Sequence, residues 1–357
     1  MKEAIYILIA LLITGCSSIK NQPGIPVISV IKAPFAVPTH FADGHFYNID
    51  TSTAPILDTI LADSLVNSFR TKCVPLPIAK GNDSLWKNPD ISTATWIGHA
   101  SYYILSHNFG ILTDPVFSDR ISPVSFYGPK RATPPGRALD TLPKVDLVII
   151  SHSHYDHLDK SSIKKIHEKF PKAIFAIPLG LKELFEDWGI PSNEILECDW
   201  WESFEYQGWK ITFVPGHHTS RRGAFDASVD ISLWGGWVLE KSGEKMWFAG
   251  DIGMGDGSYY TQIAKIFHSF DVCFLPIGGY EPSRYTRVHI SPRQAVQLHK
   301  LMNSKQSFAM HWGTFGGMTF EAPLDPPKDL AKALKDENIP QEKFLVPLTG
   351  DIVKIDF

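Results

Sequence analysis

Four metal-type side chains are crowded behind one apolar run, in Val148-Ile149-Ile150-Ser151-His152-Ser153-His154-Tyr155-Asp156-His157. The apolar residues read as a strand buried on both faces, and such a strand needs packed layers above and below it. The polar cluster begins where that strand ends, which is where α/β folds place their ligands. In an extended segment His152 and His154 lie on the same side and can grip one ion. Asp156 and His157, across a tight turn, reach a second ion a few ångströms away.

One cluster does not close a site, so other strand ends must supply ligands. Phe213-Val214-Pro215-Gly216-His217-His218 ends a strand in a histidine pair, either member of which suits a metal. Trp247-Phe248-Ala249-Gly250-Asp251 ends another in an aspartate, and Phe308-Ala309-Met310-His311 ends a third in a histidine. Strands are expected over Ala94–Leu105, Gly110–Pro115, Asp146–Ser151, Ala173–Pro178, Trp209–Pro215, Ser232–Leu239, Lys245–Ala249, Val272–Pro276 and Ser307–Met310. Helices are expected over Ser161–Phe170, Leu179–Trp188, Tyr259–Phe267, Pro292–Met302 and Pro327–Asp336, the last two opening on first-turn prolines. Strands interleaved with helices, without an internal repeat, argue for an α/β architecture.

The N-terminus carries an address. The apolar run Ala4–Ile13 is too short for a bilayer, which takes roughly 20 helical residues, and reads as part of a signal peptide over 1–15. Ile13-Thr14-Gly15-Cys16 resembles the bacterial lipobox, so Cys16 is expected to be acylated and to anchor the chain to a membrane of the cell envelope, facing the periplasm or the outer membrane. Residues 16–39 are polar and proline-bearing and read as a tether. Residues 40–93, with a helix over Ile56–Arg70, are expected to form an extension packed on a hydrolase domain over 94–357. Among the four cysteines (Cys16, Cys73, Cys198, Cys273) no C-x-x-C pair occurs, so neither a thiolate metal cage nor a disulfide framework is indicated. With 34 basic against 38 acidic side chains there is no global basic field, and no nucleic-acid partner is expected.

The ordered set H-x-H-x-D-H, then His, Asp and His, resembles the metallo-β-lactamase superfamily. The resemblance implies an αββα sandwich of two mixed sheets flanked by helices. It puts His152, His154 and His218 on a first metal, Asp156, His157 and His311 on a second, and Asp251 between them. His217 competes with His218, but in relatives the ligand lies four residues after the strand-end valine, here Val214. Further stretches narrow the resemblance to the branch of the N-acylphosphatidylethanolamine-hydrolysing phospholipase D: Thr95-Trp96-Ile97-Gly98-His99-Ala100, Leu112-Thr113-Asp114-Pro115, Tyr127-Gly128-Pro129-Lys130-Arg131, Leu233-Trp234-Gly235-Gly236-Trp237, Leu275-Pro276-Ile277-Gly278-Gly279-Tyr280 and His311-Trp312-Gly313-Thr314-Phe315.

That branch implies a phosphodiesterase acting on N-acylphosphatidylethanolamine or related phospholipids, with two zinc ions acidifying a shared water; the ligand types also suit iron or manganese. His289 matches a histidine that relatives place beside the metals, suited to substrate-phosphate contact or general-acid duty, and Asp156 would double as the group orienting the hydroxide. His99 is expected to be structural. Trp200, Trp201, Phe126, Tyr127, Tyr280 and Phe315 suit either an acyl groove or packing, and Arg221 and Arg222 suit a phosphate or a solvated loop. The alternative is a lactonase or other ester or amide hydrolase. A non-enzymatic binding lipoprotein would be betrayed by missing ligands, and all seven positions are filled.

Overall fold

The computed structural model describes residues 28–50, 74–223, 229–281 and 287–357. The signal peptide, Cys16 and the helix expected over Ile56–Arg70 lie outside them. In chain order come the hairpin β1 (Phe41–Ala42) and β2 (His45–Phe46), then β3 (Thr93–Gly98), β4 (Ser101–Ser106), β5 (Phe109–Thr113) and β6 (Leu147–Ile149). Helix α1 (Lys160–Lys169), β7 (Ile174–Pro178), α2 (Lys182–Asp187), β8 (Ile195–Cys198), β9 (Ser203–Tyr206), β10 (Trp209–Val214), β11 (Gly236–Lys241) and β12 (Glu244–Phe248) follow. The chain ends with α3 (Ser258–Phe267), β13 (Phe270–Pro276), α4 (Pro292–Leu301), β14 (Ser304–Met310), α5 (Asp325–Asp336), β15 (Phe344–Leu345) and β16 (Ile352–Lys354).

Two mixed seven-stranded sheets result, ordered β16-β3-β4-β5-β6-β7-β8 and β15-β14-β13-β12-β11-β10-β9. Side-chain alternation explains why they stack. Leu147 and Ile149 of β6 enter the core between the sheets, while Val148 and Ile150 enter a second core with Ile163, Ile166 and Phe185 of α1 and α2. On the other sheet, Ile263 of α3, Val296 of α4 and Leu330 and Leu334 of α5 cover the strands. The αββα sandwich implied by the sequence is therefore the architecture found. Both layers are also joined by buried hydrogen bonds: Tyr102 Oη donates to the Ala309 carbonyl at 2.7 Å, and Trp237 Nε1 to that of Ile150 at 2.8 Å.

Caps set the helix starts. Asp159 accepts from the amides of Ser161 and Ser162 at the head of α1, and Ser291 forms a capping box with Gln294 ahead of α4, with Pro292 in its first turn.

Several expectations change. The single strand expected over Ala94–Leu105 is the hairpin β3–β4, reversed where Gly98 and His99 take φ of +130° and +55°. Helix α2 is shorter than Leu179–Trp188, and β11 begins at Gly236 rather than Ser232. The short strands β8, β9, β15 and β16 were not foreseen. The tether expected over 16–39 does not describe residues 28–39. Ile28, Val30, Ala33 and Val37 pack on the main core, and Ile31 exchanges both backbone hydrogen bonds with Ser203 on β9, at 2.6 and 3.0 Å.

Tyr102→Phe keeps the shape of the side chain and removes only its inter-sheet hydrogen bond. It is expected to lower unfolding free energy by about 1 kcal/mol, with unchanged denaturant dependence. Urea denaturation followed by circular dichroism checks this, and an unaltered midpoint would mean the bond contributes nothing.

Candidate metal centre

Each sequence-predicted ligand stands just past the end of a strand. The end of β6 leads into His152, His154, Asp156 and His157, β10 into His217 and His218, β12 into Asp251, and β14 into His311. Strand β10 runs the same way as β12 because each is antiparallel to β11, and β12, β13 and β14 are parallel, so these ends share one rim. The loop after β6 is closed by the amides of His157 and Leu158, both donating to the His154 carbonyl. Gly250, at φ +66°, lets the β12 loop approach: a Cβ there would sit 2.5 Å from that of Ser151. His311 takes the left-handed φ of +60° and is held by its amide donating to the His99 carbonyl at 3.0 Å.

Two groups of donor atoms converge. In one, His152, His154 and His218 bring ring nitrogens within 4.8 Å of one another; in the other, Asp156, His157, His311 and His99 do the same. His152 Nε2 and His154 Nδ1 face each other at 2.7 Å. Asp251 Oδ2 stands between the groups, 3.1 Å from His157 Nε2, 2.9 Å from His311 Nε2 and 4.0 Å from His218 Nε2. Asp156 Oδ2 lies 3.4 Å from His157 Nε2 and 3.6 Å from His311 Nε2. Donors sharing one ion at about 2.1 Å stand about 3.0 to 3.4 Å apart, so these spacings suit a small divalent cation. The fit is sharpened by what the atoms lack: His157 Nε2, His218 Nε2, His311 Nε2 and Asp251 Oδ1 are buried without an aligned hydrogen-bond partner. Leaving such atoms unpaired costs about 1–3 kcal/mol each, a cost that a cation at this point offsets.

Neighbouring groups fix which nitrogen each ring presents. His157 Nδ1 donates to Asp114 Oδ2 at 2.6 Å, and His218 Nδ1 to the Val288 carbonyl at 2.8 Å. His152 Nδ1 meets Ser151 Oγ at 2.8 Å, and that hydroxyl donates to the same Asp114 oxygen. In all three rings Nε2 is left for the cluster, which is how outer partners orient metal-binding imidazoles. His99 Nε2 donates to Asp156 Oδ2 at 2.8 Å and turns that carboxylate.

Electrostatics divides the groups. Burial, reinforced by neighbouring imidazoles, holds His152 well below its ordinary value; burial likewise lowers His154 to about 4 and holds His218 well below normal. These rings are neutral donors. Burial also pulls on His157 and His311, but Asp251 and Asp156 outweigh it, holding His157 well above normal and His311 up at about 9. Both carboxylates are held well below their ordinary range, against burial, chiefly by His157. A cation entering the second group therefore takes the place of protons.

The remaining candidates separate clearly. His217 turns away, its Nδ1 2.7 Å from Asp50 Oδ2, so His218 is the member of the pair that joins the cluster. His289 lies beside it, with Nδ1 3.7 Å from Asp251 Oδ2, its ring stacked on His311 and its side chain 19% exposed. Trp200, Trp201, Tyr280 and Phe315 are packed inside, whereas Phe126 and Tyr127 are 81% and 74% exposed, so no groove forms from the set. Arg222 is not a solvated loop residue. Its Nη1 donates to the carbonyls of Ser153 and Leu158, and its guanidinium lies over the rings of Tyr155 and Trp188, tying down both ends of the ligand loop. Sequence reasoning missed Asp114 as an orienting group, although it too is an acid at a strand end, after β5.

Residues 110–312 match the family model of the beta-lactamase superfamily domain. The chain is 38% identical to N-acyl-phosphatidylethanolamine-hydrolyzing phospholipase D 1 of Caenorhabditis elegans, over 72% of this chain and 74% of that one. It is 30% identical to the mitochondrial N-acyl-phosphatidylethanolamine-hydrolyzing phospholipase D of Saccharomyces cerevisiae, over 62% of this chain and 47% of that one. Its fold is shared with a metallo hydrolase from the archaeon Ignicoccus hospitalis, at 21% identity and a TM-score of 0.55, over 74% of this chain and 99% of that one.

Asp114→Asn keeps the shape of the group that orients His157 and, through Ser151, His152. Metal retention against a chelator is expected to weaken about 10- to 100-fold with secondary structure intact. Wild-type retention would show that Asp114 does not orient the ligands.

Proposed function

The chain belongs to the beta-lactamase superfamily and, within it, to the metal-dependent hydrolases akin to the N-acylphosphatidylethanolamine-hydrolysing phospholipases D; from that premise we propose that it is a dinuclear phosphodiesterase of phospholipase D type. The observation that carries this reading is the convergence of two donor groups on one rim with Asp251 between them. His152, His154 and His218 would hold one ion, Asp156, His157 and His311 the other, with Asp251 shared. Zinc suits these ligands best, and iron or manganese would also be accepted. When bound, such a pair lowers the pKa of water to about 7 and neutralises charge on phosphate oxygens.

The chain's own residues do the rest. Asp156, held anionic, accepts a hydrogen bond from the attacking water and aims it. His289 Nδ1 is buried without a partner and borders the cluster. Burial lowers that ring to about 4, so it rests neutral; an incoming phosphodiester anion raises its basicity, which would let it take the proton that the attacking water sheds and pass it to the departing oxygen. A cavity of about 390 Å³ lies alongside, sharing Ser153 and Tyr155 with the ligand loop and walled by Leu181, Leu184 and Trp188. Its apolar side chains support a substrate with acyl chains. The proposed substrate is N-acylphosphatidylethanolamine or a close relative, cleaved on the head-group side. The lipobox-like segment ending at Cys16 supports attachment to a bacterial envelope membrane, which would keep the enzyme beside its substrate.

Purified protein is expected to carry two ions and to release N-acylethanolamine and phosphatidic acid from N-acylphosphatidylethanolamine. Hydrolysis of a homoserine lactone without attack on any phosphodiester would overturn the reading. Asp251→Asn is expected to lower turnover at least 100-fold in a folded protein. His289→Ala should slow the natural substrate about 100-fold while sparing a nitrophenyl phosphodiester, whose leaving group needs no proton. Equal losses on both would remove the proton-donor role.

A further inference from the structure

Resting on the reading of His218 as a ligand, we propose that Asn48 and Asp50 are positioning residues of the metal centre. Both lie on the N-terminal arm, before the region that the family model matches. Asn48 grips the backbone of His218 from both sides: its Nδ2 donates to the His218 carbonyl at 2.8 Å, and its Oδ1 accepts the His218 amide at 3.3 Å and Trp234 Nε1 at 3.2 Å. Asp50 is buried one step further along. Its Oδ2 accepts from His217 Nδ1 at 2.7 Å and from the Asp256 amide at 3.3 Å, bridging the loop that carries His218 to the loop that carries Asp251.

The receiving loops are shaped for this contact. At Gly255, φ +54°, an added Cβ would sit 1.9 Å from Asp50 Oδ2 and 2.8 Å from His217 Nδ1, so the bare backbone makes the room. The same loops are joined by the Gly253 amide donating to the His217 carbonyl at 2.6 Å. Tyr260 Oη completes the knot, accepting the His217 amide at 3.2 Å and donating to the Gly253 carbonyl. On the arm, Tyr259 Oη accepts the Ile49 amide at 2.5 Å.

Position matters here because a ligand nitrogen displaced by more than about 0.2 Å leaves its coordination distance. The His218 ring is pinned at Nδ1 by the Val288 carbonyl, so a shift of the His218 backbone breaks that bond or moves Nε2. The arm thus acts on the three-histidine group through one of its members and on Asp251 through the neighbouring loop. The carboxylate-rich group, assembled from the loops after β6 and β14, makes none of these contacts through Asp156, His157 or His311.

The test is a cobalt(II) titration of the full chain against a competing chelator, following each ion by its visible absorption. Asn48→Ala is expected to weaken the first-group ion about 10- to 100-fold and to leave the second unchanged, and Asp50→Asn to weaken the first by a similar factor and the second, through Asp251, by distinctly less. Leu334→Ala, which loosens α5 where it covers the outer face of its sheet, serves as the stability control and should keep both ions. Wild-type affinity for both ions in the arm variants would overturn the inference alone, as would equal weakening of both ions. A wild-type chain that binds no cobalt would overturn the dinuclear reading and this inference with it.

Discussion

Imidazole and carboxylate atoms brought together out of water set the terms for the whole molecule. Each is costly to bury unpaired, and here several meet with no aligned partner. Only a rigid frame can hold such a group in place. The sandwich supplies one by bringing the ends of β6, β10, β12 and β14 to a single rim and crossing the layers with Tyr102–Ala309 and Trp237–Ile150 hydrogen bonds. Every ligand loop is therefore rooted in the end of a strand whose last residues are buried.

Much of this was legible in sequence because ligand type and strand end coincide. A buried strand running into H-x-H-x-D-H announces both the layering and the site. The resemblance to relatives whose ligand lies four residues after the strand-end valine favours His218, which is the member of the histidine pair that the structure brings into the cluster. What could not be read came from residues whose partners lie far along the chain. Asp114 becomes an orienting group only when β5 pairs with β6, and Asn48 meets His218 across 170 positions. Arg222 looks like a surface charge until Tyr155 and Trp188 close over it. The short strands β15 and β16 are pairs and triplets too brief to show any period, and they exist because a neighbouring strand edge is available.

Residues 28–39 are the opposite case. Their composition suggests a loose tether, but a few apolar side chains suffice when they meet an exposed sheet edge. Ile31 extends the pairing of β9, Lys32 reaches Glu202 at 2.5 Å, and His40 meets Asp199 at 2.7 Å. Covering that edge also protects it from unwanted pairing with another chain. The arm's apolar residues thus anchor it on the sandwich, and its tip at Asn48 and Asp50 is delivered to the loops that carry His218 and Asp251.

The two donor groups differ in a way that bears on catalysis. One consists of neutral rings and the other is built around Asp156 with Asp251 shared, so two like cations placed there would sit in unequal fields. The shared carboxylate pulls most strongly on the second group, where His157 and His311 respond to it; His218, at 4.0 Å, is further off. A phosphodiester of the proposed kind would meet the less buried members first, His154 of the three-histidine group and His289, whose Nδ1 lies 3.7 Å from Asp251. On the proposed reading, repulsion from Asp156 would favour the substrate's anionic oxygens near the three-histidine group and leave the carboxylate side for the attacking water. That division of labour follows from the placement of one aspartate between the groups and a second beside only one of them.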